Sequence, residues 1–222
     1  MSLIFTNTQA KNGQKTTIDF GQNVLERYAV LAGFDTSFGG DDHEVKTIKA
    51  SVDFPLNNNL PSSTLEVTAN VSITDDSGHS GGGTLYIMGM GRTKEDGCQF
   101  KQQTWKPGDS ELKVTIDKQP APMDNAWVFI KGFQLSYGKK TDHHVQTLSV
   151  DAGNSTLSLS SVKDTTGDSY SWTIIFKPNL VMNDNSGNGL SNDSFLDLVV
   201  MAAPVGATSS QARVYSGSPS MA

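Results

Sequence analysis

Cysteine is all but absent: Cys98 is the only one in 222 residues. A lone thiol closes no intrachain disulfide and builds no cysteine metal cluster. Its charged neighbours Glu95, Asp96 and Lys101 supply no obvious base, so an incidental thiol is expected rather than a nucleophile. Charge is scarce too, at 18% Asp, Glu, Lys and Arg, and the basic share is the smaller one, leaving a net charge of −6. Such a surface does not attract phosphate or anionic headgroups, so no nucleic-acid partner is expected. No apolar run approaches the ~18 residues of a membrane helix, so no membrane insertion is expected. Residues 1–7 show no cationic segment followed by an apolar run, so no Sec signal is visible. The expectation is synthesis in a cytoplasm, with lysis or a specialised secretion system as the route out.

What fills the chain is Ser, Thr, Asn and Gly between short apolar alternations, and one stretch that occurs twice. Gly33-Phe34, Ser37-Phe38-Gly39, Asp42-His43 and Val45-Lys46-Thr47-Ile48 are followed, in the same order, by Gly132-Phe133, Ser136-Tyr137-Gly138, Asp142-His143 and Val145-Gln146-Thr147-Leu148. Thr17-Ile18-Asp19 and Thr115-Ile116-Asp117 extend the match upstream, and Asp75 to Gly78 is matched by Asp184 to Gly187. Self-similarity at a spacing near 100 residues predicts a duplicated domain. Each copy is long enough to bury a core without staples.

Within the copies, Leu65, Val67, Ala69, Val71 and Ile73 alternate with polar residues, as do Tyr170, Trp172, Ile174 and Phe176. Strict alternation is the mark of a half-buried strand. Pro120 and Pro122 bar a helix before the second Gly-Phe, so the matching stretch before Gly33 is read as a strand as well. Short strands with turn signals between them predict an all-β fold of two tandem antiparallel β-sandwich, jelly-roll-like units. The predicted layout is a loose arm at 1–14, unit 1 at 15–92, an ordered linker at 93–112, unit 2 at 113–203, and a tail or edge strand at 204–222. Phe34 and Phe133 are expected to anchor one core each.

The Gly-Phe-x-x-Ser-aromatic strand, with its following loop and Val-bearing strand, resembles the H-type lectin domain of discoidins and snail agglutinins. The likeness covers the central part of each copy. It implies a β-sandwich that recognises carbohydrate.

Asp42, His43, Asp142, His143 and His144 are the candidate ligand-binding residues. A carboxylate beside an imidazole accepts hydrogen bonds from sugar hydroxyls or orients a base; it also caps a turn. Neighbours on a strand diverge, which argues against a zinc site at His143-His144. Asp75, Asp76, His79, Asp184 and Asn185 are further loop contacts. Their oxygen-rich loops leave calcium open but lack the spacing of an EF-hand, and no other cofactor is expected. Three readings follow. The first is a non-enzymatic module for a glycan or other surface ligand, with avidity from two copies. The second is an assembly protein whose fused units build a homo-oligomeric ring, tube or particle. A hydrolase using Asp-His stands last, because the same pair twice does not suit one active site.

Overall fold

The structure, a computed structural model, describes residues 3–39, 44–55, 62–93, 97–138 and 144–205. The chain is all-β and antiparallel. Its strands are β1 (Leu3–Lys11), β2 (Lys15–Val24), β3 (Glu26–Ser37), β4 (Val45–Asp53), β5 (Ser62–Asp75), β6 (Ser80–Arg92), β7 (Gln99–Trp105), β8 (Leu112–Gln119), β9 (Met123–Ser136), β10 (Val145–Asp151), β11 (Ser158–Lys163), β12 (Tyr170–Phe176), β13 (Asn179–Asp184) and β14 (Phe195–Pro204), with one 3-10 turn at Asn154–Thr156.

In the first half, β6 lies between β1 and β3, while β5 pairs β2 with its first residues and β4 with its last. In the second half, β14 lies between β7 and β9, β12 pairs β8, and β13 pairs β10. Both halves break register at the same motif positions. Leu31/Gly33 and Val45/Thr47 in the first half correspond to the shifts around Lys131 and at Val145/Thr147 in the second. Among the described residues the halves differ in three places: β11 pairs β12 with no counterpart in the first half, β5 pairs β6 at Ser72 to Thr74 where β13 and β14 do not pair, and the long strand is interrupted in the second half. The 14-residue β5 runs unbroken, whereas Lys177 and Pro178 separate β12 from β13. Proline has no N–H for a ladder, so a strand cannot run through it unbroken.

The layers pack face to face. Gly89 and Gly91 of β6 lie beneath β2, where an added Cβ would come within 2.5 Å of Ile18 Cγ2 and 2.8 Å of Val24 Cγ1. Only glycine admits so close an approach. Ile18, Leu65, Val67, Leu85 and Ile87 fill that interior on the alternation the sequence predicts. Each such side chain contributes about 1.5–3 kcal/mol by leaving water.

One sheet carries strands of both halves. β4 pairs β9 from Thr47↔Ser136 to Ser51↔Gly132, which joins β2-β5-β4 to β9-β14-β7. A second cluster also spans the halves: Tyr28 stacks on Phe100 at 4.5 Å, with Val30, Met90, Val199 and Met201 around them. Burial there, with the Glu26 carboxylate as the second cause, pushes the Tyr28 phenol up to about 12. Phe133 is buried as expected, but Phe34 is only partly buried and meets Phe133 edge-to-face at 5.2 Å. The two rings therefore serve one junction rather than two separate cores.

The loose arm expected at 1–14 is instead β1, a full ladder on β6 from Leu3↔Arg92 to Lys11↔Thr84. Its alternation is weak because it covers an edge and is only half buried. The expected linker contains β7, held on β14 with Trp105 and Phe100 buried. Residues 206–222 of the tail lie outside the described residues.

Candidate functional site

Side chains two apart on a strand share a face, and paired residues on neighbouring strands stand side by side. Along β4 the inward residues are Ile48 and Ala50, both buried, so Thr47 and Lys49 face outward. Their ladder partners extend the row: Thr74, Thr47 and Ser136 on one line, and Ser72, Lys49 and Gln134 on the next. Phe195, opposite Gln134, ends the second line on β14. The result is a grid of hydroxyls, one amide and one ammonium across β5-β4-β9-β14.

This grid forms the floor of an open groove of about 700 Å³ at the junction of the halves, edged by Lys46, Lys106, Gly138, Asn192 and Asp193. The floor is firmly held. Ser136 N–H donates to Ser194 Oγ at 3.0 Å, Ser191 N–H donates to the Ser136 carbonyl at 2.7 Å, and Thr47 Oγ1 donates to Ser136 Oγ at 3.2 Å. Gln134 Nε2 donates to the Asp193 carbonyl at 2.9 Å, fixing the 192–195 wall. Lys106 is placed by a turn in which its N–H donates to Asp109 Oδ2 at 2.9 Å. Lys46 Nζ meets Asp76 Oδ1 at 3.0 Å, whereas Lys49 and Lys106 form no ion pair with a described residue. The groove therefore offers an excess of positive charge on a chain whose net charge is −6.

Of the residues expected from the sequence, Asp76 reaches the groove edge through Lys46, and the other described ones lie in turns or at loop ends. Asp42, His43, Asp142 and His143 fall outside the described residues. His144 is exposed, its Nε2 3.9 Å from Glu44 Oε1, so the matched loop ends of the two halves face each other. Asp75 closes its hairpin from within: Oδ1 accepts from His79 N–H at 2.8 Å, and Oδ2 meets Ser77 Oγ at 2.8 Å and His79 Nδ1 at 3.1 Å. Ser77 Oγ also meets that same Nδ1, at 2.7 Å. With carboxylate and hydroxyl on one ring nitrogen, the imidazole cannot relay a proton between them in the manner of a catalytic triad. Asp184 does the same work with Asn188, whose N–H donates to Oδ1 and whose Nδ2 donates to Oδ2, each at 2.7 Å. An amide thus stands where the imidazole does, and in both loops a side-chain donor answers the aspartate. Asn185 is a turn residue whose Oδ1 accepts weakly from Ser186 Oγ at 3.4 Å. Among the described residues, no three His, Cys, Asp or Glu side chains cluster as a metal site.

Tyr137 is fully buried beside the groove floor, its phenol pushed up to about 12 by that burial and by the Asp184 carboxylate. Among the other aromatics that could stack on a sugar ring if exposed, Trp105 and Trp172 are core and Tyr86 is exposed. The groove residues were missed because each is ordinary alone. The only available signal was the alternation Thr47, Lys49 and Gln134, Ser136, whose significance depends on which strands become neighbours. No family model matches this chain, and neither does any curated protein or solved structure.

Proposed function

We propose that the chain is a non-enzymatic binding module, made by duplication of one six-strand unit, that holds an acidic glycan in the groove across β5-β4-β9-β14. The observation that carries this is the grid of Thr47, Thr74, Ser72, Ser136 and Gln134 flanked by Lys49 and Lys106. Hydroxyls and amides both donate and accept, which suits a ligand whose own hydroxyls do the same. An ammonium with no acidic partner makes a charge-assisted bond to a carboxylate or sulfate on that ligand. Phe195 supplies an apolar wall for the C–H face of a ring. The shared pairings and shared register shifts of the two halves support the duplication.

The test is a glycan array followed by titration of a uronic-acid oligosaccharide and its neutral counterpart. The acidic ligand binds and weakens as salt is raised. Lys49→Gln loses about tenfold in affinity, the size of one charge-assisted bond, with an unchanged melting temperature because Lys49 faces solvent. Binding of neutral sugars that is indifferent to Lys49→Gln, or no glycan binding at all, overturns the proposal.

A further inference from the structure

The contact between the halves is head-to-tail. The first half contributes the β4 edge, and the second contributes the β9 edge. The matching edges at the other ends are left without a ladder partner among the described residues: β3 pairs only β6, and β10 pairs only β13. We propose that a second copy of this chain lays its β10 on β3 of the first, repeating the internal seam between molecules.

Three observations support this. The first is burial. Ile48, Ala50 and Ser51 are buried where β4 meets β9, while their counterparts Leu148 and Val150 are only half covered and Asp151 is exposed. Phe133 is likewise buried and Phe34 only partly so.

The second is a glycine. At Gly132 an added Cβ would come within 2.6 Å of Ser51 Cβ, so the seam itself demands glycine there. At Gly33 an added Cβ meets only the Tyr86 ring at 3.6 Å, an ordinary contact. Nothing among the described residues requires glycine at position 33, but a β10 strand laid there as β4 lies on β9 would place Asp151 against it.

The third is an exposed aromatic. Phe5, Met90 and Tyr28 form one row across β1-β6-β3, and Phe100, Met201 and Trp127 form the matching row across β7-β14-β9. Phe100 is covered by Tyr28 of the other half. Phe5 is 39% exposed and has no such cover among the described residues; repetition of the seam brings it Trp127 of the second copy.

The implied register is Thr147↔Ser37, Leu148↔Thr36, Ser149↔Asp35, Val150↔Phe34 and Asp151↔Gly33, each pair belonging to two molecules. A head-to-tail contact of this kind closes into a ring or runs on as a filament. The proposal goes beyond glycan binding and does not use the groove, which is complete within one chain.

Sedimentation velocity at about 100 μM, a concentration at which a protein contact of moderate strength is occupied, reads the assembly. The wild type sediments as species larger than one chain. Gly33→Val reduces it to one chain with unchanged circular dichroism and unchanged glycan titration. Because Cys98 is buried, the double variant Ser37→Cys with Thr147→Cys gives a ladder of linked chains on mild oxidation, and neither single variant does. A wild type that is monomeric at this concentration overturns the proposal and leaves the two edges to residues 206–222 or to a foreign strand. Self-association that survives Gly33→Val and yields no ladder overturns it too.

Discussion

The two halves of this molecule share several strand pairings but build them with different residues, and the differences separate what the architecture needs from what it tolerates. A turn clip pairs an aspartate with a donor, which His79 supplies in one half and Asn188 in the other. The strand answering β2 and β4 is whole in β5 and split around Pro178 in β12 and β13. The aromatic after the matched serine is Phe38 in the first half and Tyr137 in the second, and only the second has a phenol to bury. The junction itself is unequal, with Phe133 fully inside and Phe34 at its margin.

The sharpest test of that inequality is truncation. Phe133→Ala should cost ~3–5 kcal/mol, the usual loss for a buried phenylalanine. Phe34→Ala should cost about 1–2 kcal/mol, since part of its area is already in water. The double variant should show a coupling of about 0.5–1.5 kcal/mol, as expected for rings in edge-to-face contact. Denaturant melts of the four proteins check this, and equal costs for the two single variants would dissolve the comparison.

Alkaline stability comes next. Tyr28 and Tyr137 titrate at about 12 in the folded chain, above the ordinary value near 10. A phenol whose pKa is raised by folding favours the folded state fully below pH ~10, and that advantage is lost as pH rises toward 12. Thermal melts between pH 9 and 12 should therefore fall steeply. Tyr137→Phe, which gives the second half the residue of the first, should flatten the fall while changing little at pH 7. Tyrosine absorbance at alkaline pH checks the titration itself.

The smallest effects lie in the clips. Asp75→Ala and Asp184→Ala each strand buried turn donors and should cost ~1–3 kcal/mol. His79→Asn, which copies the second clip into the first, should stay within about 0.5 kcal/mol of wild type. A large loss in His79→Asn would mean the imidazole has work beyond its turn.

The sequence by itself determined the strand content and most of the turns. Alternation at residues 65–73 and 170–176 became β5 and β12 because a pleated strand exposes alternate side chains to water and core. The loop from Asp75 to Gly78 read correctly as a hairpin turn, and the one from Asp184 to Gly187 is a turn between strands that do not pair, since those residues make turns from local chemistry. Residues 1–14 and 99–105 were harder, because half-covered edge strands carry little period. The ladder between β4 and β9 could be decided only by the tertiary structure. Pairing between distant strands depends on which edges the layers bring together, and no local pattern encodes it. From that one pairing comes the groove, with Lys49 and Gln134 brought side by side from residues 85 positions apart, while the corresponding edges of β3 and β10 have no ladder partner among the described residues.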